Sequence, residues 1–143
     1  IMRDLSSIFF PPGTVQFLVA VMCMTLSHVG LTVTVYELLL MEWAEGAVTS
    51  LHMLVAGAVA VFLFFHPSFM VTRGKRWAHE FLKDLSLVYS GLFLVAFCAA
   101  LIRYQQFWQL PVVGLALAVV AAAMYRSKGF GRFCKHFELL WGR

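Results

Sequence analysis

The chain has 143 residues, 62% of them hydrophobic and 13% charged, with a formal net charge of +4 and a mean hydropathy of +0.84, far from the balance of an ordinary water-soluble domain. Four stretches carry no Asp, Glu, Lys or Arg, residues 5–36, 46–72, 85–102 and 104–125, and each approaches the roughly 20 helical residues that cross a hydrocarbon core about 30 Å thick. Too little chain is left between them for a separate catalytic head, so function is expected to lie in the bundle or in partners.

Pro11-Pro12-Gly13 reads as a turn, and the first span is expected over about 14–40, long enough to tilt or to project beyond the lipid. Glu37, Glu42, Trp43, Glu45 and Gly46 form a short acidic connector. The second span, about 47–65, is expected to stop at His66-Pro67, because proline lacks an amide proton and disfavours helical geometry in the residue before it. Between 68 and 84, Trp77, Phe81 and Leu85 recur at helical spacing with Arg76, Glu80, Lys83 and Asp84 on other faces, the pattern of an amphipathic lead-in to a third span at about 85–102. Arg103-Tyr104-Gln105-Gln106 and Trp108 suit a membrane boundary. Pro111 fits the first turn of a fourth span, about 109–125. Over 128–141, Phe130, Phe133, Phe137, Leu140 and Trp141 alternate with Arg132, Lys135, His136 and Glu138 as in a helix lying on a membrane surface. The expected fold is a single membrane domain, 1–143: an all-α integral membrane protein with four transmembrane helices, short loops and an amphipathic interfacial C-terminal helix.

Lysine and arginine tend to stay on the side from which a chain is inserted. The second connector holds Arg73, Lys75, Arg76 and Lys83, and the tail holds Arg126, Lys128, Arg132, Lys135 and Arg143, while the first connector has glutamates and no basic residue. Four crossings put both basic segments on one face, with both termini facing the cytoplasm or an organelle matrix. Because these cations are interleaved with Phe and Trp beside apolar spans, Arg73, Lys75, Arg76, Arg126, Lys128, Arg132 and Lys135 are read as contacts for anionic lipid headgroups, with bound phospholipid and without nucleic acid. A start at Ile1 is compatible with a removed targeting peptide. The mitochondrial inner membrane is the expected location, ahead of the bacterial inner membrane.

Thr25, His28, Thr32 and Tyr36 share one face of the first span, which should meet another helix or a cavity rather than lipid. An intramembrane histidine is a functional candidate, and interhelical hydrogen bonding is the competing structural role. His28 lies roughly 18 Å from the outer end of its span and His52 about 8 Å from the outer end of the second, so the two cannot ligate one haem from comparable depth. A haem ligand shared with a partner subunit, or a quinone contact through His28 or Tyr36, stays open as the cofactor-binding reading; no cofactor is otherwise expected.

Other chemistry is missing from the sequence. Cys23, Cys98 and Cys134 are far apart and form no CxxC, so no metal site is expected, and Cys134 reads as an interfacial thiol. No carboxylate falls within a span away from its ends, and there is no Gly-rich phosphate loop, GxSxG or HExxH. The chain is therefore read as no enzyme. Small residues at four-residue spacing, Ala56 and Ala60, Ala96 and Ala100, and Gly114, Ala118 and Ala122, mark faces for close helix packing, with Thr25 and Thr32 beside them. Trp43-Ala44-Glu45 after a first span, in a four-span layout with inward termini, resembles the small membrane subunit of tripartite periplasmic-binding-protein-dependent transporters. That resemblance covers the layout and those three residues, and implies a small transporter subunit without assigning it a site residue. The function expected from the residues themselves is a non-catalytic subunit that scaffolds or anchors a multisubunit membrane complex, most naturally a respiratory or other energy-converting one, with a transporter subunit or a quinone- or haem-contacting anchor as the alternatives.

Overall fold

The structure, a computed structural model, describes residues 10–37, 46–103 and 108–141. Among these every element is helical: α1 (Thr14–Val35), α2 (Gly46–Ala60), a π-helical turn (Val61–Phe65), α3 (His66–Thr72), α4 (Arg76–Arg103), α5 (Gln109–Tyr125) and α6 (Lys128–Trp141). Three helices are long and apolar enough to cross a membrane, Thr14–Val35, Thr49–Thr72 and Arg76–Ile102; α5 makes a fourth when joined to α6 across a 55° bend. The protein is thus an all-helical chain of membrane-spanning character with three to four such helices. Residues 38–40 of the first expected span, the acidic connector at 42–45 and residues 104–107 lie outside the described residues.

α1 starts where the turn signal placed it. Gly13 caps it with φ 97°, the Thr14 hydroxyl donates to the Pro11 carbonyl at 2.7 Å, and Pro11 itself is buried.

The expected stop at Pro67 is wrong. The helix runs on from Thr49 to Thr72 because the backbone widens over Val61–Phe65, and the His66 amide reaches back five residues to the Val61 carbonyl. In a regular α-helix Pro67 would leave the Leu63 carbonyl without its amide and press the ring against it; a wider turn just before the proline absorbs that conflict. The true end comes at Gly74, in a Schellman closure in which the Lys75 amide bonds to Met70 O at 3.0 Å and the Gly74 amide to Val71 O at 2.9 Å, with Gly74 at φ +68°. The expected lead-in over 68–84 is divided accordingly: 68–72 completes the second span's helix, and 76–84 is the start of α4.

α5 packs chiefly on α1 and α4. Ala20, Met24 and Ser27 of α1 lie against the small-residue face of α5, where Gly114, Ala118 and Ala122 are buried. A Cβ on Gly114 would stand inside the Phe93 ring of α4, so glycine is what lets that fully buried aromatic fill the centre. The Ser27 hydroxyl crosses to the Gly114 carbonyl at 3.1 Å.

α6 folds back under the bundle. Phe130 and Phe133 are buried, and the Phe133 ring stacks on Phe17 of α1 with centroids 4.7 Å apart. A Cβ on Gly13 would collide with the Gly129 carbonyl, and one on Gly74 would meet the Phe137 carbonyl oxygen at 2.7 Å. The start of α1, the α3–α4 turn and α6 therefore share one end of the bundle. Arg73, Lys75, Arg76, Arg126, Lys128, Arg132 and Lys135 stand exposed there.

Candidate functional site: a two-histidine clasp between α1 and α2

The residues described for α2 depart from the rest of the core. Leu51, Leu54 and Val55 are exposed, and α1 is the only other helix it packs on substantially. Two histidines make that junction. His28 on α1 places Nε2 2.8 Å from the Ala56 carbonyl of α2, and His52 on α2 places Nε2 3.2 Å from the Thr32 carbonyl of α1. The helices run antiparallel, so each histidine sits one turn from the residue whose carbonyl the other takes. The result is a reciprocal clasp.

A carbonyl oxygen only accepts, so Nε2 of His28 carries the proton. In the neutral ring Nδ1 then accepts from the Tyr89 hydroxyl of α4 at 2.7 Å. Phe64 of the π-helical turn closes the site, its ring edge-on to His28 with centroids 5.3 Å apart and edge-on to Tyr89 at the same separation. His28, Phe64 and Tyr89 are all buried. One imidazole thus joins α1, the second span's helix and α4, and its hydrogen-bonding capacity is fully used.

The other residues of the expected polar face behave differently. The Thr25 and Thr32 hydroxyls donate within α1, to Val21 O and His28 O, each at 2.9 Å. Tyr36 belongs to the clasp's outer end, its ring 6.3 Å from that of His52 rather than beside His28. A groove of about 320 Å³ runs along one flank of the clasp, lined by Thr25, Thr32, Met53, Ala56, Gly57 and Ala60 among others; a shallower one on the opposite flank passes His52 and Val59. Ala56 and Ala60 are half-buried at these grooves, whereas Gly114 and Ala118 pack inside the bundle. An iron ligand at His28 would have to displace either Tyr89 or the Ala56 carbonyl, and a quinone oxygen would meet no free ring nitrogen there.

Sequence reasoning named His28 but missed Tyr89, Phe64 and the two carbonyls. Tyr89 was legible in principle as the only tyrosine within the charge-free run 85–102, but nothing in that run ties its hydroxyl to a residue of the first span. Cys134 is buried against the bundle. Burial pushes its thiol up to about 12, with Glu138 adding to the rise. Among the described residues no three of His, Cys, Asp and Glu gather as a metal site would require. The Trp43-Ala44-Glu45 run lies outside the described residues. No protein-family model matches the chain, and no curated protein and no solved structure matches it.

Proposed function

We propose that the chain is a non-catalytic membrane subunit that anchors or scaffolds a larger assembly, with α1, the helix through α2 and α3, α4 and α5 all crossing one bilayer and α6 lying along its cytoplasmic or matrix face. Clustering of the basic residues at the α6 end supports that orientation. Although α5 has 17 residues, roughly 25 Å of helix, it runs beside α1 through the core and fits a crossing in a slightly thinned bilayer.

The observation that carries the reading is the uncovered α2. Two backbone carbonyls and two imidazoles meet at a seam with open grooves on both flanks, and that seam is where α2 is held to α1. Without a hydrophobic driving force between helices in lipid, close packing and polar contacts hold spans together. A neighbouring transmembrane helix against Ala56, Gly57 and Ala60 would supply the packing that this chain does not.

Photo-crosslinking in native membranes tests it. A photoreactive residue at Leu54 or Val55 should give adducts with a second membrane polypeptide, identified by mass spectrometry, well above those from the exposed Val95 of α4. Equal and low yields at all three sites would remove the proposal.

A further inference from the structure

We infer that the cleft between the α3–α4 turn and the end of α6 binds an anionic phospholipid, with Arg73 and Lys75 holding its phosphate. Phe69, Met70, Arg73, Lys75 and Trp141 line this cleft of about 350 Å³. Its two cations are exposed, and among the described residues the carboxylate in ion pairs is Glu80, which engages Lys83 and His79 and neither of them. The Arg73 guanidinium lies 4.9 Å over the Phe69 ring. A guanidinium held against a ring in this way still has N–H donors to offer the paired acceptors of a phosphate.

The turn that carries both cations is fixed before any ligand arrives. The Lys75 and Gly74 amides are spent on Met70 and Val71, and Gly74 is wedged against the backbone of Phe137 and Glu138 in α6. Little ordering is left for binding to impose. A phospholipid fits better than a free phosphate because the floor is apolar and continues away from the turn. Phe62, Phe65 and Phe69 follow one another at helical spacing with 73%, 49% and 52% exposure, a track for an acyl chain. Trp141 stands at the rim with 62% exposure, as an indole does at the headgroup level. The inference needs this end of the bundle to lie among headgroups, as proposed above, but not the partner subunit.

The test is native mass spectrometry of the full chain released from nanodiscs containing phosphatidylglycerol and phosphatidylcholine. The intact chain should retain phosphatidylglycerol preferentially. In R73Q/K75Q the retained ratio should fall about 30-fold, whereas R132Q/K135Q, which removes the same charge from the same end, should lower it only slightly, as the loss of diffuse headgroup attraction does. Equal falls in both variants would mean diffuse attraction and overturn the site; so would displacement of the lipid by inorganic phosphate alone. A chain that fails to enter nanodiscs refutes the membrane reading, while one that enters but holds both lipids alike refutes this inference only.

Discussion

The clasp makes a quantitative claim about coupling. Replacing Tyr89 with Phe removes one interhelical hydrogen bond, the one at 2.7 Å to His28 Nδ1, and should cost about 0.6 kcal/mol, the average for such bonds within a bilayer. Replacing His28 with Leu, of similar volume, removes that bond and the one to the Ala56 carbonyl, so about 1.2 kcal/mol is expected. If the two side chains bond each other directly, the double variant has nothing further to lose. It should cost about 1.2 kcal/mol, not the additive value of about 1.8, a coupling of about 0.6. Steric-trap unfolding in bicelles measures all four corners of the cycle. Additivity of the two single costs would refute the geometry; so would a His28→Leu cost no larger than that of Tyr89→Phe, because then the Ala56 bond contributes nothing.

Other consequences are as direct. Solid-state nitrogen NMR of His28 should show a neutral ring with the proton on Nε2, and a proton on Nδ1 would contradict the assignment of Tyr89 as donor. Gly114→Ala drives a methyl into the Phe93 ring and should destabilise by about 1–3 kcal/mol, while Gly91→Ala, where a Cβ meets nothing within 4 Å, should be neutral or slightly stabilising; equal effects would refute the packing of α5 on α4. Because burial raises the Cys134 thiol to about 12, its thiolate fraction near neutral pH is small and grows about tenfold per pH unit. A maleimide should therefore label Cys134 far more slowly than a cysteine placed at the exposed position 132, and equal rates would mean that α6 is not docked. Phe133→Ala, which deletes the stack on Phe17, should cost about 3 kcal/mol and raise the Cys134 labelling rate; an unchanged rate would separate the stack from the docking.

Much of this was legible in the residues because hydrocarbon imposes length and charge rules that a sequence displays openly. The starts of α1 and α5, the burial of Gly114 and Ala118 and the amphipathic pattern of α6 follow from charge-free runs, small-residue spacing and aromatic periodicity. Partners are a different matter. Periodicity places Thr25, His28, Thr32 and Tyr36 on one face, yet it does not say that the threonine hydroxyls fold back onto their own helix while only the imidazole crosses. A hydroxyl on a short side chain reaches the carbonyl one turn earlier at little cost, and the ring is too long to do so. What the aromatic stripe of α6 packs against was hidden in a related way: it reads equally as a face for lipid and as a face for the bundle, and Phe17 with Gly13 decides for the bundle in Phe130 and Phe133.

Pro67 shows how a local rule can be right about the conflict and wrong about its outcome. The missing amide and the ring do forbid a regular α-helix there, and ending the helix is one resolution. In a membrane that resolution exposes backbone groups to lipid, where each unsatisfied one is expensive; widening one turn to π geometry keeps the hydrogen-bonded ladder going. The extra residue in that turn rotates everything before it by about 100° relative to a straight helix. Ala56 and His52 lie before the turn, and Phe64 lies within it. A straight α-helix through the same positions would swing the Ala56 carbonyl and the His52 ring around the helix and away from α1, so the proline that reads as a stop is the residue that brings the clasp into register.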